Sequence, residues 1–424
     1  MATTESPRPS SYRPRLIDRI LPGLLSQLPA ISLVGPRGAG KTTTAARYAK
    51  QIRRLNRSAE AGAFRADPYA TLATLDEPAL LDEWQEVPEI LSAVKEAVDL
   101  DPHPGRFLLT GSVRIAFEKT WPATGRILRC PVYPLTQREI RQTTGTELFV
   151  ARLVHPSLEA FAPAAELLNL VDYVDLAVAG GLPEAVLAQS GQTRHRWLQG
   201  YLDELIASDI SLTGTNPDRR RFSAYLQAVA ASSAAIIDDV TLFDAAHVSR
   251  PTGAAYDQLL EAVYFADEIP AWWADPLTRL TARPKRLLLD TSLMLASLNL
   301  DRDGVLANST TLGRTLETFV GMQIRPELAV ADGLPRLYHL REKAGRREID
   351  FLIQYPDSSI AAVEVKATAA PTLADARHLT WLRDVLGERF TAGVVLHTGP
   401  YALRLADRIW AAPISTFWLE GKAD

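Results

Sequence analysis

The sequence predicts an α/β protein in three units, and three observations predict it. Residues 12–143 alternate short apolar strands with helical stretches, the pattern of a parallel sheet flanked by helices. Residues 165–265 lose the strands and read mostly as helices. From about residue 310 strands and helices mix again. We place the units at 1–145, 146–308 and 309–424; a chain of 424 residues has room for two or three domains at ~150 residues each.

After a loose arm at residues 1–12, the first unit shows apolar strands at Ala30–Val34, Gln51–Leu55, Ala79–Leu81, Phe107–Leu109 and Ile127–Val132. Helices fall between them at Thr42–Lys50 and Ile90–Val98. The second unit carries helical patterns at Ala165–Val178, Arg196–Ala207, Phe222–Ala230 and Ala254–Tyr264, then a short strand at Arg286–Leu289. Two short helices, a third helix and a hairpin-like tail are the order of a winged helix. The third unit opens with a helix at Leu312–Glu327, followed by strands at Arg336–Arg341, Glu348–Ile353 and Ile360–Val365. A helix at Leu373–Leu386 and a strand at Gly393–Leu396 complete it.

Composition narrows the functional classes. At 47% hydrophobic and 23% charged residues, the chain is not wholly disordered, collagenous or coiled-coil. The lone Cys130 makes no internal disulfide, which fits a reducing compartment. A net charge of -4 excludes a generally basic nucleic-acid coat and leaves room for a local basic patch. The N-terminal residues lack an apolar signal core, and no apolar run is long enough to span a bilayer. We therefore expect a cytoplasmic protein with no membrane partner.

The sharpest motif is Gly35-Pro36-Arg37-Gly38-Ala39-Gly40-Lys41-Thr42, followed by Thr43. It fits G-x-x-x-x-G-K-[ST], and it follows an apolar strand and precedes a helix, the context phosphate binding needs. Glycines let backbone N–H groups converge on phosphate oxygens, and the helix turns its positive end to the anion. Lys41 reaches the β- and γ-phosphates and Thr42 ligates Mg²⁺. A second motif, Ala79-Leu80-Leu81-Asp82-Glu83, ends a strand in paired acids. Asp82 would hold Mg²⁺ and Glu83 would orient and deprotonate the attacking water, so the pair points to hydrolysis. Thr110, at the tip of a neighbouring strand, is a candidate for touching the γ-phosphate or the water. Arg126 is a candidate for neutralising transition-state charge, in its own or a neighbouring chain. Nothing in these motifs reads the base, so GTP stays open beside the expected ATP.

Two further patterns carry chemistry. Leu242–Val248, Ser249-Arg250-Pro251-Thr252 and the helix to Tyr264 read as helix-turn-helix. That last helix offers Asp257 and Glu261 and no base within Ala254–Tyr264, and the nearest basic cluster is Arg219-Arg220-Arg221. A unit that packs on the first and relays its state is the better reading, with nucleic acid left as a possible partner. In the third unit, a hairpin centred on Asp357 sets Asp350 opposite Glu364, with Lys366 on the same face by the period of two. Two acids and a lysine, with Glu317 from the preceding helix, would hold a second divalent metal and activate water. The bland alternative is a surface cross-strand ion pair, worth ~0–1 kcal/mol. The seven histidines show no ligand spacing.

Leu33–Thr43, Leu81-Asp82-Glu83-Trp84-Gln85-Glu86-Val87-Pro88, Gly105–Ser112 and Tyr133-Pro134-Leu135-Thr136-Gln137-Arg138-Glu139-Ile140 together resemble the prokaryotic AAA-like ATPases that carry a C-terminal domain of unknown function. So do Gly180-Gly181-Leu182-Pro183-Glu184, Tyr201-Leu202-Asp203-Glu204-Leu205, Asp350-Phe351-Leu352, Glu364-Val365-Lys366 and Ala411-Ala412-Pro413-Ile414. The resemblance implies a P-loop NTPase core of the additional-strand catalytic-glutamate type, a winged-helix-like middle, and a C-terminal α/β domain similar to PD-(D/E)XK nucleases. The function it leads us to expect is Mg²⁺-dependent ATP hydrolysis whose nucleotide state is coupled to a nuclease-like module. The alternative is an ATP-controlled regulatory or signalling switch that binds a protein partner, or a second copy of itself, without cleaving nucleic acid.

Overall fold

The computed structural model describes residues 12–112, 125–161, 167–188, 190–209, 218–273, 282–342 and 346–418. Its first sheet has five parallel strands: β1 (Ala30–Val34), β2 (Gln51–Arg54), β3 (Ala79–Asp82), β4 (Phe107–Gly111) and β5 (Ile127–Pro131), in the order β2-β3-β4-β1-β5. The apolar runs of β1, β3 and β4 are buried throughout, as strands covered on both faces must be. Edge strand β5 instead turns Leu128 and Arg129 outward. Because the strands are parallel, Val34 pairs with Gly111 and Asp82 with Thr110 at one rim of the sheet. That rim, beyond the carboxyl ends of the strands, is where open α/β sheets take ligands.

The helix after β1, α1, runs only from Lys41 to Ala45, shorter than the Thr42–Lys50 the sequence suggests. Three consecutive threonines, Thr42 to Thr44, are poor helix formers because of their branching. The chain leaves the helix through the tighter bonds Arg47 N–H to Thr44 O and Tyr48 N–H to Ala45 O. Helix α2 (Ile90–Leu100) covers the sheet, and α3 (Gln137–Ile140) follows β5 with a Thr136–Glu139 capping box.

The middle of the chain is helical. Helix α4 (Leu170–Ala179) starts later than expected because Asn169 caps it; residues 165 and 166 of the sequence-predicted helix lie outside the described set. Then come α5 (Gly191–Glu204), α6 (Arg219–Ala231), α7 (Asp239–Ala245) and α8 (Arg250–Ala262). Arg219, Arg220 and Arg221 form the first turn of α6 rather than preceding it, because Asp218 caps that turn. A two-stranded antiparallel ribbon closes the unit: β6 (Ala266–Ile269), which the sequence reading lacked, and β7 (Lys285–Leu288). Phe222, Tyr225, Tyr256, Leu259 and Leu288 share a core of their own.

Helix α9 (Thr291–Ser297) leads to the 22-residue α10 (Ser309–Val330) and a second sheet. That sheet contains β8 (Arg336–Arg341), β9 (Glu348–Gln354), β10 (Ile360–Lys366), β11 (Phe390–His397), β12 (Leu403–Ala406) and β13 (Ile409–Pro413), with helix α11 (Arg377–Leu386) on it, in the order β12-β13-β11-β10-β9-β8. The β9–β10 register is symmetric about Asp357, as the hairpin arithmetic requires: Gln354 pairs with Ile360 and Phe351 with Val363. Strands β12 and β13 were not expected; β13 is a short, fully buried run with no alternation to betray it. One apolar core joins Ile31 and Leu33 of the first sheet to Phe319, Phe351, Val394 and Trp410 of the third unit. Phe149 and Phe161, which the sequence gives to the middle unit, belong to it; Phe149 lies 4.3 Å from Phe417 and Phe161 lies 5.7 Å from Trp410, centre to centre.

Candidate active site

The loop from Gly35 to Thr42 leaves β1 and enters α1. Gly35 packs so close to the chain after β5 that a Cβ there would lie 2.0 Å from the Val132 carbonyl oxygen. Gly40, at φ 93°, supplies the left-handed turn that aims the first amides of α1 into the loop. Lys41 is buried and folds back on the loop, its Nζ donating to Gly35 O at 3.0 Å and Pro36 O at 2.8 Å. Behind the loop stands Arg15, which no motif announces. Its guanidinium donates to Ala39 O at 2.7 Å, Tyr133 O at 2.6 Å and Glu139 Oε1 at 2.9 Å, with both charged side chains buried. From the middle unit, the Tyr201 hydroxyl donates to Arg37 O at 3.0 Å.

The second motif meets the loop. Asp82 Oδ1 accepts from Thr42 Oγ1 and from Thr110 Oγ1, each at 2.6 Å. The sequence-predicted magnesium residues Thr42 and Asp82 are therefore in direct contact. Two hard oxygen donors at the loop mouth fit Mg²⁺, which favours carboxylate, hydroxyl and phosphate oxygens. Glu83 sits in a left-handed conformation, φ 56° and ψ 50°, costly for a residue with a Cβ and typical of constrained functional positions. Its Oε2 accepts from Gln85 Nε2 and, at 3.3 Å, from Ser112 Oγ. Trp84 is fully buried against Gly111, where a Cβ would lie 2.6 Å from the indole nitrogen.

Two sequence expectations need correction. Thr110 is fully buried, and its hydroxyl both donates to Asp82 and accepts the Glu83 N–H at 3.2 Å. It is thereby committed to holding the two acids rather than a phosphate. Ser112, two residues further on, is the hydroxyl that faces Glu83, and the period of two along the strand is the signal that would have found it. Arg126 precedes Ile127, which pairs with Ala30 at the start of β1, the rim opposite Gly35. It pairs with Asp99 at 2.7 Å, ~13 Å of strand away from the loop, so it does not serve the loop of its own chain.

The third unit assembles its predicted residues as well. Asp350 Oδ2 accepts the Val365 N–H at 2.8 Å, and Lys366 Nζ donates to Glu364 Oε1 at 2.6 Å. Glu317 of α10 joins them, paired with a residue the sequence reading missed, Lys285 of β7. The Lys285 ammonium lies 3.8 Å from Asp350 Oδ1 and donates to Asp350 O at 3.2 Å. Burial first, and then the Asp350 charge, push Glu317 up to about 8, with Lys285 offsetting part of the rise. Glu364 is likewise pushed up to about 8 by burial and Asp350, with Lys366 opposing. For Lys285, burial acts downward, but the Glu317 and Asp350 charges outweigh it and hold the ammonium above its ordinary range. No sequence signal marks Lys285, which stands beside Arg286 at the head of a four-residue strand. Among the described residues no three His, Cys, Asp or Glu side chains stand together as metal ligands.

Comparisons with known proteins divide along the chain. Residues 27–141 match the model of an AAA domain. Residues 170–304 and 312–417 match two domains of unknown function, DUF8612 and DUF4143. The uncharacterized proteins Rv2008c of Mycobacterium tuberculosis and Mb2031c of Mycobacterium bovis are each 24% identical over 409 residues, 94% of this chain and 83% of theirs. A solved Walker-type ATPase of Pyrococcus abyssi is 13% identical with a TM-score of 0.39, over 66% of this chain and 94% of its own. No described helix is long and apolar enough to cross a membrane. The AAA match falls on the strand–loop–helix whose lysine folds back on the loop and whose threonine contacts an acid of the neighbouring strand.

Proposed function

We propose that this protein binds ATP with Mg²⁺ at the Gly35–Thr43 loop, hydrolyses it, and couples its nucleotide state to the third unit. The observation that carries the reading is the shared oxygen of Asp82, held at 2.6 Å by both Thr42 and Thr110. Thr42 and Asp82 would hold Mg²⁺, which when bound would supply positive charge against the phosphate oxygens. Lys41 would exchange its two loop carbonyls for the β- and γ-phosphates, and loop amides would take the remaining oxygens. Glu83, freed from Gln85 and Ser112, would accept a proton from water. Lys41→Ala should abolish ATP binding, whereas Glu83→Gln should keep binding and lose hydrolysis, read by equilibrium nucleotide binding and phosphate release. Equal turnover by the wild type and Glu83→Gln would refute the assignment.

Coupling is supported by α10. Gln137 N–H donates to Gln323 Oε1 at 2.8 Å and Arg138 donates to Glu327 at 3.0 Å, on the helix that also presents Glu317. The order of α6, α7, α8 and the β6–β7 ribbon supports a winged-helix-like middle, and the Asp350–Glu364–Lys366 hairpin supports a nuclease-like third unit. A second reading, a regulatory switch that cleaves nothing, is favoured by one observation: Lys285 stands among the acids. Incubation of the full chain with Mg²⁺ or Mn²⁺ and several nucleic acids separates the two. Cleavage lost in Asp350→Ala supports the first; ATP turnover indifferent to nucleic acid, with no cleavage, supports the second.

A further inference from the structure

The turn that opens the phosphate loop holds one peptide whose direction decides what the loop can bind. Pro36 to Ala39 is closed by the Ala39 N–H donating to Pro36 O at 3.3 Å, and Gly38 stands in its third place at φ 74°. A positive φ there marks a type II turn, and a half-rotation of the central peptide converts type II into type I. That central peptide is Arg37–Gly38, and its carbonyl is the one that accepts from the Tyr201 hydroxyl at 3.0 Å. Across a trans peptide the N–H points opposite to the C=O, so a carbonyl drawn toward Tyr201 sends the Gly38 N–H the other way. The loop uses the same device again two residues on. Arg15 draws the Ala39 carbonyl toward itself at 2.7 Å, which turns the Gly40 N–H away from Arg15.

Tyr201 itself is firmly seated. It lies on α5 one turn after Trp197, with ring centres 5.6 Å apart, and both rings pack on the core of the middle unit. That unit also abuts the loop. The Leu135 N–H donates to Gly181 O at 2.7 Å, and Pro183 Cγ lies 3.8 Å from where Gly40 would carry a Cβ. We propose that Tyr201 is a positioning residue of the phosphate site: by holding the Arg37 carbonyl, it aims the Gly38 amide into the loop as a donor to a nucleotide phosphate. This rests on the reading of the loop as a nucleotide site. Without the hydroxyl the peptide is free to rotate, which withdraws a donor and presents a carbonyl oxygen to the anion. With it, a hydroxyl on the C=O and a phosphate on the N–H polarise one amide from both ends, so each bond strengthens the other.

The test is equilibrium binding of two ligands to the full chain: ATP, and inorganic tripolyphosphate, which has the phosphates without the base. Tyr201→Phe keeps the ring and removes only the hydroxyl. It should weaken both ligands alike by about tenfold, the scale of one hydrogen bond to a charged group. The melting temperature of the ligand-free chain should stay that of the wild type. In protein carrying isotope-labelled glycine, the Gly38 amide resonance is identified by its loss in Gly38→Ala. It should move on addition of tripolyphosphate to the wild type and move much less in Tyr201→Phe. Equal tripolyphosphate affinity in the wild type and Tyr201→Phe would overturn the proposal. So would a weaker affinity that comes with a lower melting temperature while the Gly38 resonance responds as in the wild type. Lys41→Ala keeps the two readings apart. If it binds tripolyphosphate as the wild type does, the nucleotide reading of the loop falls and this proposal with it. If Lys41→Ala loses binding and Tyr201→Phe keeps it in full, this proposal falls alone.

Discussion

Removing Glu139 is the sharpest test of how the phosphate loop is held. Its two oxygens accept from Arg15 Nε at 2.9 Å, Leu16 N at 2.8 Å, Thr136 N at 2.7 Å and Thr136 Oγ1 at 3.1 Å. Glu139→Ala leaves the Arg15 guanidinium buried without its counter-charge, a change that costs ~3–5 kcal/mol for such a pair. Arg15 keeps the carbonyls of Ala39 and Tyr133, which places the expected loss near the lower end, about 3 kcal/mol. At roughly 3 °C per kcal/mol for a domain of this size, the melting temperature of the first unit should fall by about 10 °C. Because Arg15 also fixes the Ala39 carbonyl, ATP affinity should fall with stability. Urea unfolding and equilibrium nucleotide binding measure the two. Replacing both partners by apolar residues, Arg15→Met with Glu139→Leu, should cost less than Glu139→Ala alone, since no buried charge is then stranded. A Glu139→Ala protein within 1 kcal/mol of wild type, with unchanged ATP affinity, would refute this account of the loop.

Other consequences are narrower. Thr110→Val removes the hydroxyl that ties Asp82 to the Glu83 amide; phosphate release should fall about tenfold or more while ATP binding persists, and unchanged turnover would show that the bridge is dispensable. Glu317 and Glu364 are each raised from 4.5 to about 8 on folding, so the folded state prefers them protonated. Their contribution is fully present below about pH 4.5 and is lost as pH rises through 8. Melting temperature should therefore decline with rising pH across that window, and Glu364→Gln should flatten the decline; an identical slope in the variant would contradict it.

How much of this was legible in the sequence differs by site. The phosphate loop was, because its chemistry needs contiguous residues and glycines that no side chain replaces. Asp82 was as well, since a parallel strand must deliver it to the same rim as Val34. The hairpin placed Asp350 near Glu364 because antiparallel register fixes partners once the turn is known. What escaped notice was chemistry assembled across distance. Arg15 reaches Glu139 over 124 positions, and Lys285 reaches Asp350 over 65. Neither has a local pattern, because the packing of whole units, not spacing, brings them together. Arg126 failed for the opposite reason. It lies close in sequence to the fifth strand, but a parallel strand starts at the rim away from the loop.

The way the units are joined limits how a change at the Gly35 loop could reach the acids of the third unit. The first and third units share one apolar core, and the buried Arg138–Glu327 pair crosses between them. Glu327 also accepts the Val150 N–H at 3.1 Å, so breaking that joint would strand a buried carboxylate as well as a guanidinium. Those two units therefore move as one body at low cost and come apart only at high cost. The middle unit has a core of its own, but its β6–β7 ribbon is seated in the shared core through Ile269 and Leu287. It touches the loop through Tyr201 on Arg37 and touches the acids through Lys285. The β6–β7 ribbon is tied to α10 as well, because Arg325 of that helix pairs with Asp267 and donates to the Glu268 carbonyl at 3.2 Å, so a shift of either element would carry the other with it.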